Sequence, residues 1–198
     1  YGRANRGNRR FYSETSVNYD NRFGNHRVGG LVLFYTDDRM DQFAGNFTAS
    51  IPERYLGLAG RVSYSYDDRY FIEGNIGYNG SETFAPSSRY GTFPAFGIGW
   101  VPSNEKFFIP LKNVISYFKI RYSDGLTGIG RIGGRRFAYL DIMNENLSGY
   151  RYARNLANTS GINITDYGSE TVWAESRKQD LGLEIKTLND RLSLIVDV

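Results

Sequence analysis

The sequence predicts an all-β fold, about eight strands forming part of the wall of an antiparallel transmembrane β-barrel, and three observations carry that prediction. The first is strict alternation. Leu56, Leu58, Val62, Tyr64 and Tyr66 alternate with Gly57, Ala59, Arg61, Ser63 and Ser65, and beyond Asp67-Asp68-Arg69, Tyr70, Ile72, Ile76 and Tyr78 alternate with Phe71, Glu73, Asn75, Gly77 and Asn79. Side chains of a strand point to opposite faces in turn, so this hairpin has one apolar face and one polar face. The second is the crowding of tyrosine at the strand ends, where a membrane wall meets water. The third is the length of the connections, which alternate short and long along the chain. A barrel in the outer membrane places short turns on one side of the bilayer and long loops on the other.

Eight strands are expected in order. The first, about Phe11 to Asp20, sets Phe11, Val17 and Tyr19 against Tyr12, Glu14, Asn18 and Asp20, and Asn21 to His26 reads as a turn. A second, Arg27 to Thr36, is apolar on both sides and its facing is not assigned. The third and fourth form the hairpin above. The fifth, Thr92 to Val101, puts Phe96, Ile98 and Trp100 opposite Ala95, Gly97 and Gly99, small residues that leave room for a close approach. The sixth, Ser116 to Ser123, places Phe118, Ile120 and Tyr122 against Lys119 and Arg121. The seventh ends with Leu181, Leu183 and Ile185 opposite Asp180, Gly182 and Glu184. The eighth shows Leu192, Leu194, Val196 and Val198 against Ser193, Ile195 and Asp197. Long connections are expected at Asp37 to Arg54, Gly80 to Gly91 and Asp124 to about Thr171. The medium segment Pro102 to Ile115 departs from the rule, and Asn104 to Phe108 reads as a short helical decoration within it.

Composition narrows the function. Apolar residues make up 40% and aromatics 16% of the 198 residues, a mixture that suits a wall needing apolar side chains at every second position. No run approaches the roughly 18 consecutive apolar residues of a transmembrane helix. A net charge of +3 is too mild to indicate nucleic acid. The chain has no cysteine and a single histidine, His26, which excludes disulfides, thiolate metal sites and histidine clusters. A loop-like tract over residues 1–8 and an alternating run reaching Val198 lead us to expect that 1–198 is one piece of a longer barrel domain.

The residues alone leave two other arrangements open. A soluble β-sandwich, binding or cleaving carbohydrate, would bury Leu58, Val62, Ile72 and Ile76 in its core. A self-contained eight-stranded barrel would close on itself. Several motifs were weighed against these. Glu73 with Glu14 lacks any supporting pattern for glycoside hydrolysis, and His26 lies in a turn with no Ser-His-Asp set around it, so no catalytic residue is expected. Gly128 to Arg136 is glycine-rich but has no Lys-Ser or Lys-Thr after the glycines, which excludes a phosphate-cradling loop. Asp37, Asp38 and Asp41 form a candidate structural Ca²⁺ cluster on a surface loop, the only metal considered.

The same residues also resemble a known family. Arg61-Val62-Ser63-Tyr64-Ser65-Tyr66-Asp67-Asp68-Arg69-Tyr70 is similar to the hairpin motif of SusC-type (SusC/RagA-like) TonB-dependent outer-membrane transporters of Bacteroidetes. Further likenesses are Phe84-Ala85-Pro86, Arg89-Tyr90-Gly91-Thr92-Phe93-Pro94, Gly99-Trp100, Glu105 to Phe108, Phe118 to Ser123, Val172 to Ser176 and Asn189 to Leu192. The resemblance implies a twenty-two-stranded barrel, of which this chain is a fragment lacking the plug domain. It also implies TonB-dependent import of large nutrients, oligosaccharides or oligopeptides, at the bacterial cell outer membrane. Implied partners are a SusD-like surface lipoprotein, the TonB–ExbB–ExbD machinery acting on the plug, and membrane lipid. Transport asks no bond chemistry of this segment. On this reading Arg61, Glu73, Lys119 and Arg121 line the lumen. Phe84, Arg89, Tyr90, Arg135, Arg136, Tyr139, Tyr150 and Tyr152, on extracellular loops, are the candidates for contact with substrate or partner.

Overall fold

The computed structural model describes residues 7–43, 50–130, 136–152 and 157–198. Among the described residues ten strands are formed: β1 (Asn8–Phe23), β2 (His26–Asp41), β3 (Glu53–Tyr66), β4 (Tyr70–Ser81), β5 (Tyr90–Trp100), β6 (Ile115–Ile129), β7 (Ile142–Tyr152), β8 (Ala157–Asp166), β9 (Ala174–Thr187) and β10 (Leu192–Asp197). Eight of them make one antiparallel sheet in the order β1-β2-β3-β4-β5-β6-β9-β10, while β7 and β8 pair separately within the long β6–β9 connection. β1 and β10 are not neighbours, so the sheet is open and not the self-contained barrel.

The strands run further than alternation alone marks them, because β1, β2 and β6 continue through polar residues to Asn8, Asp41 and Ile129. Backbone pairing with a neighbour, not burial, holds these extensions. His26 is accordingly the first residue of β2 and not part of the turn, which shrinks to Gly24-Asn25. The β3–β4 turn has positive φ at Asp67 and Asp68 and an Arg69 N–H to Tyr66 carbonyl hydrogen bond of 3.0 Å. Positive φ at both central residues is the mirror-image turn that matches strand twist. Leu188, Asn189 and Asp190 repeat it between β9 and β10.

Register assigns the faces. Tyr66, Tyr70 and Trp100 stand opposite one another, as do Leu58 with Tyr78, Ile72 with Ile98, and Gly74 with both Val62 and Phe96. No outward position of β3, β4 or β5 from Leu56 to Trp100 is charged. The apolar side is the exposed one: Leu58, Val62, Ile72 and Ile76 are 45%, 63%, 58% and 52% exposed. Ser65 and Gly57, on the polar side, are buried. Burying each such aliphatic side chain is worth about 1.5–3 kcal/mol, and within the described residues no second layer covers them. This overturns the sandwich arrangement, which needed those four residues in a core.

Register also resolves β2. Val28, Val32 and Phe34 face outward opposite Tyr64, Gly60 and Leu58, whereas Arg27, Leu31, Leu33 and Tyr35 face inward. Inward leucines had hidden the alternation. The Tyr35 ring lies where a Cβ on Gly57 would be, so glycine there gives the ring its place.

Candidate functional site

The polar face gathers the four residues expected to line a lumen. Arg61, Glu73, Lys119 and Arg121 border one hollow of about 480 Å³, together with Asp20 and Arg27. Alternation delivers them from three strands, Arg61 from β3, Glu73 from β4 and both Lys119 and Arg121 from β6, and register brings them level: Arg61 opposite Asn75, Glu73 opposite Gly97, Arg121 opposite Gly99. Glycines at 97 and 99 keep the floor low, so long side chains from β3, β4 and β6 can cross it. The charges pair across strands. Arg61 donates to Glu73 at 2.6 Å, Asn75 donates to the other Glu73 oxygen at 2.9 Å, Arg27 meets Asp20 at 3.1 Å, and Arg121 meets Asp197 at 2.5 Å. The Lys119 ammonium lies 5.4 Å from the centre of the Phe71 ring. Arg27 was missed because the facing of its strand could not be read from a sequence apolar on both sides.

At the turn end, a second cluster joins three residues quoted for the family resemblance. Glu105 accepts hydrogen bonds from Tyr70 Oη at 2.7 Å and Arg69 Nη1 at 3.1 Å. Asn104 donates to the Asp68 carbonyl at 2.9 Å and Val101 N–H to the Arg69 carbonyl at 2.8 Å. The Tyr70 hydroxyl, and more weakly the Arg69 charge, hold the Glu105 carboxyl below its usual range against the cost of desolvation. The expected helical decoration is present, in the tighter 3₁₀ form, as Pro102–Asn104 and Lys106–Leu111.

At the loop end several of the residues expected to contact substrate or partner have partners within the chain. Phe84 is 1% exposed and packs on Trp173 at 5.0 Å, with Phe93 5.3 Å from the same indole. Rings this close stabilise by packing, so in this structure Phe84 anchors the loop. Tyr90 belongs to β5 and not to the loop. It faces outward and stacks on Tyr78 at 5.3 Å with 4° between the ring planes. Arg136 donates to the carbonyls of Ile51 at 2.8 Å and Pro52 at 2.9 Å and lies 3.5 Å from Glu82, tying the long connection to the top of β3. Arg89 is partly exposed beside Tyr90, and its backbone carbonyl accepts from Ser81 at 3.1 Å. Tyr139 sets its ring edge-on to Phe137 at 6.3 Å. Arg135 and the side chains of Tyr150 and Tyr152 lie outside the described residues.

The acidic trio does not form the expected cation cluster. Asp37 and Asp38 are successive strand residues and point to opposite faces, Asp37 to Arg10 at 2.8 Å and Asp38 to Arg54 at 3.2 Å. Among the described residues no group of three or more carboxylate or imidazole side chains is arranged to hold a metal ion. One acid does face outward within β6: Asp124 is buried, but Arg177 binds it at 3.0 Å and Gln179 at 3.1 Å, so its charge is paired.

With this geometry in hand, known proteins can be compared. No family model matches the chain. The TonB-dependent receptor SusC of Bacteroides thetaiotaomicron is 31% identical over 140 residues, 70% of this chain and 14% of that protein. Over those residues the chain is homologous to a SusC-type TonB-dependent receptor. The TonB-dependent receptor P39 of Formosa agariphila is 27% identical over 213 aligned residues, 94% of this chain and 20% of that receptor. The chain thus spans between 14% and 20% of these two curated relatives. Among solved structures, the RagAB peptide importer in its closed-closed state superposes with a TM-score of 0.73 at 19% identity, over 96% of this chain and 23% of that one. Its open-open state gives 0.71. The fold is therefore an arc of a SusC-like barrel wall.

Proposed function

We propose that this segment is wall and loop of an energy-coupled importer in the bacterial outer membrane. The observation that carries the reading is the inverted sheet: an uncharged, exposed apolar band backs onto a face crossed by paired charges. Hydrocarbon satisfies the band, and water or a plug satisfies the charges. A membrane sheet must have every strand edge paired, so the open edges of β1 and β10 call for further strands. In this reading Arg61, Glu73, Lys119 and Arg121 steady a plug or border the route of a large nutrient, an oligosaccharide or an oligopeptide. Displacement of the plug is driven through TonB, with ExbB and ExbD supplying proton-motive force. A SusD-like lipoprotein capping the loop end completes the importer. The relatives support the transporter class, and the named RagAB neighbour imports peptides.

The test is site-directed spin labelling of the full-length receptor in bilayers. Labels replacing Leu58, Val62, Ile72 and Ile76 should be relaxed by dissolved oxygen, whereas labels replacing Arg61, Glu73 and Lys119 should respond to a water-soluble nickel chelate. Equal shielding of both sets from oxygen would overturn the reading.

A further inference from the structure

The connection between β5 and β6 breaks the short-turn rule, and its packing gives a reason. A turn of three residues suffices between β3 and β4. Here the chain runs from Val101 to Val114 and folds back onto the outside of the sheet. Tyr70, Trp100 and Phe118 all face outward by register. Glu105 takes the Tyr70 hydroxyl at 2.7 Å, the Phe107 ring lies 6.4 Å from Trp100, and Phe108 is buried in a stack with Phe118 at 6.3 Å. Ser103 Oγ donates to the Phe118 carbonyl at 3.4 Å. The segment is thus clamped to the same side as the apolar band, not hung beneath the polar hollow.

Its free side is apolar. Phe107, Ile109 and Val114 are 63%, 62% and 65% exposed, and Leu111 is exposed beside them. Exposed Lys106 and Lys112 flank the group. Aromatic and aliphatic side chains bracketed by lysines match the boundary between headgroups and acyl chains, where rings enter the hydrocarbon edge and ammonium groups reach phosphate. The surface continues directly from Trp100, the last outward residue of β5.

We infer that residues 102–114 form an interfacial anchor that seats in the phospholipid leaflet on the turn side of the barrel. The inference rests on the barrel reading above but is not contained in it, since a connection at this end could equally stand in water. It fixes the depth of the wall at this point and gives the Arg69–Tyr70–Glu105 cluster its purpose, which is to hold the anchor against the sheet.

The experiment uses the full-length receptor in vesicles, carrying a bimane fluorophore on Phe107→Cys or Ile109→Cys, with Val62→Cys as the wall control. Lipid brominated close to the headgroup should quench both anchor probes strongly, and lipid brominated near the methyl end should quench them less. At Val62 the order should reverse. Quenching at Val62 with none at 107 or 109 overturns the anchor while leaving the barrel intact. Absence of quenching at all three positions removes the barrel reading, and the anchor with it.

Discussion

The two ends of the sheet are secured by different chemistry. At the turn end, polar groups do much of the holding beside the Phe108–Phe118 stack: Glu105 gathers Tyr70 and Arg69, Asp67 N–H reaches the Asn25 carbonyl of the next turn at 2.7 Å, and the backbone turns at positive φ. At the loop end, rings do it: Phe84, Phe93 and Trp173 pack together and exclude any side chain from Gly91, where a Cβ would lie 2.5 Å from Phe93. Both ends are built largely from residues quoted for the family likeness. In this structure these residues pack and pair with one another, which is an architectural use.

Sharp contrasts follow for mutants of the full-length receptor. Trp173→Ala should destabilise by about 3 kcal/mol, because the half-buried indole covers the buried rings of Phe84 and Phe93. Hydrogen exchange should locate the loss in residues 82–93 and 172–176, with the turn end unchanged. Uniform exchange at both ends would show that the two are one cooperative unit. Gly128→Val should cost about 1–3 kcal/mol by forcing Phe93 from its place, and in a Phe93→Ala background the same change should cost less in urea unfolding.

Glu105→Gln should act at the opposite end, with a smaller effect, freeing the 102–114 segment to proteolysis while the loop end keeps its protection. The same group sets a pH dependence. Its carboxyl titrates lower in the folded protein than in the unfolded chain, so its contribution is complete above the ordinary carboxylate range and is lost as pH falls through the folded value. Acid should loosen the turn end before the ring-packed loop end, as read by exchange at matched pH.

The smallest effect belongs to the polar hollow. Arg61 and Glu73 are 52% and 36% exposed, so Arg61→Ala should cost at most about 1 kcal/mol of stability. The double variant Arg61→Glu with Glu73→Arg should regain what either charge reversal loses. A large stability loss would mean that the hollow is a folding element and not a passage.

Alternation made the two faces of β3, β4 and β5 legible, since a strand that separates oil from water must change polarity at every residue. For the same reason Arg61, Glu73, Lys119 and Arg121 were placed correctly on the polar face. β2 stayed unassigned because Leu31 and Leu33 face inward among polar neighbours. The β7–β8 pair was missed within the long connection because its register is broken in three places. The partners of Phe84 and Arg136 were not legible because each residue type has two uses: a loop phenylalanine stacks on sugar or on tryptophan with the same ring, and an arginine binds a ligand or a backbone carbonyl with the same donors.

What the linear order of residues determined was the pleat: which side chains are apolar, at period two, and where the chain must turn. Tertiary structure decided what stands beside what, because lateral register sets which charge meets which partner and whether a ring is covered. The cross-strand charge partners of the hollow lie between 7 and 76 positions apart along the chain, and no local pattern says which of them meet.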